Sequence, residues 1–261
     1  MQQEYHGAYQ REAEEGVFVL EWELVIIGPD SILRKIPVAL DRKQAYFFEG
    51  IRISAEMIDL AHVRLQQTLL EITKAMKASA SPRQELYTSA MLDAWSIIDS
   101  VHRLQDLAHY FPAIKHREHN PGFHNLLSHS DVNKLRNTVQ HLPGSIREME
   151  VAPQWSVWGV LNWCVPYPDD VVHSCSYMCG HQRPGTKPPM INPAGRRISL
   201  PVGLITIVQD QVSVCISDLI EDVIRFANTM AQILQDGING DGRLKERYAA
   251  DVLVVTQMKF V

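Results

Sequence analysis

The sequence lacks the features of a membrane-spanning or exported protein. No run approaches the roughly 18 apolar residues of a membrane span, and the polar first 16 residues contain no apolar signal-peptide core. The four cysteines all fall in the second half and are too sparse for a disulfide-linked secreted scaffold. We therefore expect a soluble, cytoplasmic protein without a membrane partner.

A surplus of basic residues is also missing. The chain has 25 Lys and Arg against 30 Asp and Glu, a formal net charge of −5, so no overall positive field gathers nucleic acid. Any binding of RNA has to be local or built by an oligomer. A glycine-rich phosphate loop and a G-x-S-x-G nucleophile turn are absent as well, which argues against P-loop enzymes and serine hydrolases.

The chain is neither fibrous nor disordered, because 46% of its residues are hydrophobic and only 14 are glycine and 14 proline. Residues 1–42 hold a polar tail and two β-like runs, 17–27 and 36–40, which predict a strand pair. Residues 43–150 are helical in pattern, and residues 151–261 are β-rich with a terminal helix. The prediction is an α+β fold: an antiparallel helical bundle, an N-terminal strand pair, and a C-terminal antiparallel β segment packed on the bundle as one unit.

Hydrophobic periodicity defines the bundle. Between residues 43 and 78, apolar residues recur every seven positions at Ile51, Ile58, Leu65 and Ile72. His62 falls on a neighbouring apolar stripe and is interpreted as a structural core residue. A second helix is expected to begin at Ser81-Pro82 and to run antiparallel to the first.

Charged residues crowd the other faces of this second helix. We interpret its carboxylates as solvated groups and as helix-surface pairs, Asp99 with Arg103 and His102 with Asp106. A histidine-rich connection, predicted as a loop with one short helical turn, follows over residues 115–130.

A third bundle helix is predicted from Ser130 to His141, and it contains the stretch Arg136-Asn137-Thr138-Val139-Gln140-His141. An arginine and a histidine within two helical turns can hold a phosphate and move a proton, the two tasks of cleaving RNA without a metal. Asn137 and His141 share a helix face, whereas Arg136 lies about 140° from His141. The pattern predicts a site at this helix end, with Asn137 orienting the imidazole.

The stretch RNTVQH resembles the signature of the HEPN domain, in which arginine, a polar residue and then histidine occur on a late bundle helix. The resemblance covers the helices from about residue 43 to residue 149 and leaves out the β segments. It implies a homodimeric, metal-independent endoribonuclease without a cofactor, in a stress or defence setting and with a protein regulator as a further partner.

The resemblance implies that His141 is the general acid or base on the ribose 2′-OH and the leaving oxygen. It implies that Arg136 stabilises the phosphorane and that Asn137 has a positioning or hydrogen-bonding role. The products are a 2′,3′-cyclic phosphate and a 5′-OH. Family members often continue with glycine and an aromatic residue, whereas Leu142-Pro143-Gly144 follows here. The alternative is therefore a non-catalytic HEPN-like binding or interaction protein.

The loose arginine-to-histidine spacing recurs as Arg103 with His109 and as Arg117 with His124. Neither has a polar residue of the required kind directly after the arginine. We expect Arg103, Arg117 and His124 to contribute substrate contacts rather than catalysis.

A second constellation, His173, Cys175, Cys179 and His181, supplies four ligands of the type that zinc prefers. On a strand these residues extend too far along one face to enclose one ion unless the chain turns between them. Buried thiols in a β core are the preferred interpretation, so no metal is expected.

Overall fold

The computed structural model describes residues 25–112, 120–148, 156–166, 171–180, 187–196, 198 and 201–256. These residues form a mixed helical and sheet structure, which confirms the α+β class. The helices are α1 (Arg42–Lys77), α2 (Gln84–Tyr110), α3 (Pro121–Ser128), α4 (Ser130–Gln140), α5 (Leu142–Glu148) and α6 (Ile216–Gly240), and the strands are β1 (Val160–Pro166), β2 (Val172–Met178), β3 (Gly203–Gln209) and β4 (Val212–Cys215).

Helices α1 and α2 form an antiparallel pair, as predicted. The four heptad residues of α1 are fully buried. The ring of Phe48, near the start of α1, meets that of Phe111, just after α2, edge to face at 5.2 Å. Helix α2 begins at Gln84 rather than at Pro82, since Arg83 is still extended and has no capping side chain.

One carboxylate of α2 departs from the prediction. Asp93 is 2% exposed rather than solvated, and its Oδ1 lies 3.1 Å from Nη2 of Arg64 on α1. Burial raises the pKa of Asp93, and the Arg64 charge opposes that rise. The ion pair therefore ties α1 to α2 at the edge of their apolar contact.

The four strands form one antiparallel sheet in the order β2-β1-β3-β4. Its inner face joins the helical core through Leu161, Trp163 and Ile207. The Trp163 indole donates a hydrogen bond to Thr73 Oγ1 on α1 at 2.9 Å, and the ring of Tyr177 stacks on that of Tyr87 on α2. Sheet and helix pair thus share one apolar interior.

The predicted N-terminal strand pair is wrong in its second strand. Residues 36–40 form a turn in which Pro37 makes a single antiparallel bridge with Tyr248. Proline has no N–H with which to continue a ladder, so pairing stops there. Of the predicted first strand, only residues 25–27 are described, and they are not in a strand.

Residues 251–256, at the end of the β-rich half, do not form a strand. They run along the surface with Val252, Leu253 and Val255 more than 80% exposed. Asp251 forms a bidentate ion pair with Arg52 of α1, with an Nη2–Oδ1 distance of 2.8 Å. This ion pair holds the segment against α1, and the bridge between Pro37 and Tyr248 holds the chain just before it.

The histidine-rich connection contains a full helix, α3, where a loop with a single turn was predicted. Asn120 caps it by accepting the N–H of Gly122 at 3.0 Å, with Pro121 at the first helical position. Gly122 allows α3 to approach α6, because a Cβ there would lie 2.3 Å from Thr229 Oγ1. Phe123 then packs edge to face on Phe226.

Within the described part of the chain, every helix is too short or too polar to span a lipid bilayer.

Burial gives the stability a pH dependence through His62, which is 4% exposed on α1. Desolvation lowers its pKa from 6.5 to about 4. The imidazole takes up its proton at a higher pH in the unfolded chain than in the folded chain. The contribution of His62 to the free energy of unfolding is therefore complete above pH 6.5 and is lost as the pH falls to about 4. The expected loss is on the order of 3 kcal/mol.

Chemical denaturation of wild type and His62→Met between pH 7 and pH 4 measures this loss. We expect the free energy of unfolding of the variant to fall less steeply over this range. His124→Ala, which removes an exposed imidazole, is the control and should keep the wild-type slope. Equal slopes in wild type and His62→Met would contradict the assignment.

Candidate functional site

The polar faces of α2 and α4 meet in a group of seven side chains, the α2–α4 cluster. Val132 and Leu135 bury the other side of α4 in the core. Gln105 of α2 donates hydrogen bonds to the carbonyl oxygens of Leu126 and His129, which fixes the α3–α4 junction against α2. The cluster consists of Asp99, His102, Arg103 and Asp106 on α2 and Asn133, Arg136 and Asn137 on α4.

Asp99 brings two guanidinium groups together from different helices. It accepts a hydrogen bond from Arg103 one turn along α2, as the sequence predicted. Its Oδ1 also lies 3.7 Å from Nε of Arg136 on α4, and both side chains are about one-third exposed. The Arg136 Nε is buried and has no hydrogen-bond partner among the described residues. The contact of Arg136 with Asp99 is thus an ion pair without a hydrogen bond.

His102 stands at the centre of a chain of polar contacts. Its Nε2 lies 3.1 Å from Asn133 Oδ1, and its Nδ1 lies 3.4 Å from Asp106 Oδ2, the predicted i, i+4 pair. Asn133 Oδ1 also accepts a hydrogen bond from Asn137 Nδ2 at 3.0 Å. The Asn133 oxygen is placed to accept a hydrogen bond from Nε2, and Nδ1 faces the Asp106 carboxylate. The ring is therefore oriented on both sides.

His141 lies at the C-cap of α4 with its side chain exposed. Its backbone N–H donates to the Asn137 carbonyl at 3.0 Å. The Asn137 amide is directed to Asn133, so the expected hydrogen bond from Asn137 to the His141 ring is not formed. Helix α5 starts directly after His141, since Pro143 is tolerated in a first helical turn.

The remaining predicted substrate residues are separated. Arg103 belongs to the cluster, while His124 is exposed on α3 and makes no contact with the cluster in the described part of the chain. Arg117 lies outside the described residues. The structure therefore brings together Arg136, Asn137 and Arg103, and it adds His102 and Asn133.

Sequence reasoning also missed a pairing between α3, α4 and α6. His129, between α3 and α4, has its Nε2 2.7 Å from Asp222 Oδ2. The other oxygen of Asp222 accepts hydrogen bonds from Arg225 at 2.6 Å and from Asn125 at 3.3 Å. The partners are more than ninety residues apart in the chain, so no local pattern indicates the contact. We interpret this group as a tie that holds the α3–α4 junction to α6.

The zinc hypothesis has no assembled site in the described part of the chain, where no three potential ligands lie together. His173 and Cys175 lie on β2, Cys179 lies 3.1 Å (Sγ to Oγ) from Ser156, and His181 lies outside the described residues. Burial raises the pKa of Cys175, which keeps this thiol protonated at neutral pH. Cys175 and Cys179 are only partly buried, so the interpretation as buried thiols stays a prediction for them, whereas Cys164 on β1 is fully buried.

Comparison of the chain with protein-family models, with curated proteins and with solved structures finds no match. Function is therefore inferred from the α2–α4 cluster. Two guanidinium groups can hold an anion such as a phosphate, and an oriented imidazole can accept or donate a proton. Their convergence at a half-exposed surface is the arrangement from which we infer function.

A double-mutant cycle tests the geometry of the cluster. Asp99→Ala and Arg136→Ala should couple by about 0.5–1 kcal/mol in the free energy of unfolding, the strength typical of a partly exposed ion pair. Lys134, which pairs with Asp131 on α4, provides the control: Asp99→Ala with Lys134→Ala should show no coupling. Equal coupling in the two cycles would argue against the contact between Asp99 and Arg136.

Proposed function

We propose that the protein is a metal-independent endoribonuclease of HEPN type, with its RNA site at the α2–α4 cluster and at His141 on the end of α4. The observation that supports this proposal is the meeting of Arg103 and Arg136 at Asp99, one helical turn from His102. A guanidinium matches the geometry of a phosphate and keeps its charge at any physiological pH. The cluster therefore combines phosphate recognition with a group that transfers protons.

In this proposal Arg136 stabilises the negative charge that develops on the phosphorane, and Asn137 with Asn133 fixes the polar surface beneath it. His141 acts as general acid or base on the ribose 2′-OH and the leaving oxygen. Cleavage needs a group that takes the 2′-OH proton and one that gives a proton to the departing 5′-oxygen. His102 is the second imidazole available for this exchange, and the products are a 2′,3′-cyclic phosphate and a 5′-OH.

Asp99 determines how an RNA phosphate would bind. In the free protein its carboxylate neutralises part of the charge of Arg103 and Arg136. An incoming phosphate has to compete for these groups and is repelled by the carboxylate. Binding should therefore be weak and sensitive to salt, in keeping with a net charge of −5. A homodimer that placed two clusters face to face would add the missing positive charge.

The second candidate is a non-catalytic HEPN-like interaction protein. It is favoured by the same carboxylate, because Asp99 already engages both guanidinium groups. In this interpretation the cluster joins α2 to α4, and the exposed His141 contacts a protein partner. The two candidates differ in whether RNA is cut.

Cleavage of a labelled single-stranded RNA in EDTA tests the proposal. Wild type is expected to release fragments with 2′,3′-cyclic phosphate ends and to leave a 2′-deoxy substrate intact, since that substrate lacks the nucleophile. His141→Ala and Arg136→Ala should each reduce the rate by at least about 100-fold, the usual contribution of one proton-transfer group or one charge-stabilising contact. The rate of His102→Ala reports whether the second imidazole takes part.

His109→Ala is the matched control, because His109 is an exposed imidazole on α2 outside the cluster, and it should cleave at the wild-type rate. Circular dichroism of each variant separates loss of chemistry from loss of fold. A wild type that cuts no RNA would reject the ribonuclease. Wild-type activity retained in His141→Ala would reject the assigned role of that histidine.

A further inference from the structure

The face of the sheet turned away from the helices contains a row of small polar side chains. Ser176 on β2, Asn162 on β1, Thr206 on β3 and Cys215 on β4 stand directly opposite one another in the strand register. With neighbouring strands about 4.8 Å apart, the row spans about 14 Å. Each residue can donate or accept a hydrogen bond, so the centre of this face is polar where a sandwiched sheet is normally apolar.

Asn162 is the central member of the row and the least compatible with a structural role. It is 1% exposed, and neither the nitrogen nor the oxygen of its amide has a hydrogen-bond partner among the described residues. The neighbouring Ser176 Oγ is also buried and without a partner there. Buried polar groups are nearly always hydrogen-bonded, because leaving one unpaired destabilises the fold. Asparagine is also poorly suited to a strand interior.

The segment 187–196 contacts this face at both sides of the sheet. At the β2 side, Ser174 Oγ donates a hydrogen bond to the Ile191 carbonyl at 3.0 Å. At the β4 end, Arg196 Nη2 lies 4.0 Å from Cys215 Sγ and is held by Asp218. Strand β2 is only half-buried, whereas β1 is buried over nearly its whole length. Asn162 is therefore enclosed at the centre of this face, and Ser176 lies on the less buried strand at its edge.

We propose that this row is a binding site for a nucleobase, recognised through the Asn162 amide. A carboxamide presents one acceptor and one donor side by side, and it pairs with a planar edge that offers the complementary couple, as asparagine does with adenine. The hydroxyl groups of Ser176 and Thr206 flank that edge, and that of Thr206 donates to the Leu204 carbonyl at 3.2 Å and is left as an acceptor. The site does not depend on the proposed ribonuclease, because no side chain of the row hydrogen-bonds to the α2–α4 cluster in the described residues.

Calorimetric titration of wild type with adenosine, cytidine, guanosine and uridine tests binding. At least one nucleoside should bind saturably, and Asn162→Leu should weaken that binding at least about tenfold, the usual loss for a two-bond contact. Purine riboside, which lacks the 6-amino donor, is the matched ligand for adenosine. A short single-stranded RNA run in parallel separates the two sources of the base, since tighter binding of the RNA identifies a base within a chain.

The melting temperature of the unliganded protein gives a readout that needs no ligand. Replacing an unpaired buried amide with an apolar side chain of similar size should raise it by about 2–4 °C in Asn162→Leu. Ser213→Ala, on the same face but exposed on β4, should change neither melting temperature nor binding. A lowered melting temperature in a folded Asn162→Leu would show that the chain itself satisfies the amide, and this would overturn the proposal.

Absence of saturable binding by every nucleoside and by the RNA would overturn it as well, and so would binding that is unchanged by Asn162→Leu. If Asn162→Leu fails to fold, Ser176→Ala on the half-buried strand serves in its place. That variant should weaken binding by a few-fold while keeping the wild-type circular dichroism spectrum.

Discussion

The apolar stripe of α1 is fully buried only because α2 and the sheet both cover it. Its heptad residues are fully buried, α2 lies along one side, and the Trp163 indole reaches Thr73 on another. A helix of 36 residues has no stable existence with such a stripe exposed. The rotation of α2 about its own axis is fixed by this burial, and the rotation determines which residues of α2 face outward.

The candidate site follows from that rotation. Since Val101 and Leu104 are buried in the core, Asp99, His102, Arg103 and Asp106 are left on the outer faces of α2. Helix α4 then buries Val132 and Leu135 and presents its own polar face to the same place. The charged cluster is thus a consequence of how two apolar faces are buried, and its contacts add specificity to a position that packing has already determined.

Periodicity in the sequence predicts much of this fold. The heptad helix α1, the β-rich second half and its terminal helix appear where they were predicted because each buries a regular apolar face. The errors occur where one or two residues override the hydrophobic pattern. Pro37 ends a strand pairing, and Asn120 with Pro121 starts a helix in a polar stretch.

The candidate site was predicted less completely. Contacts within one helix, such as that between Asp99 and Arg103, follow from spacing. The contacts of His102 with Asn133 and of His129 with Asp222 join residues 31 and 93 positions apart. Only the folded chain sets such distances, which is also why the unpaired amide of Asn162 has no signature in the sequence.

Helix α4 is held most firmly at its start, because two contacts fix the α3–α4 junction. Gln105 holds the junction from α2 and Asp222 holds it from α6, so the root of α4 is fixed on two sides. At the opposite end, the side chain of His141 is exposed. Asn133 and Arg136 also hold the middle of α4 to α2. Freedom of motion should therefore be confined to the last turn, so a partner that docked at His141 would order that turn rather than the whole helix.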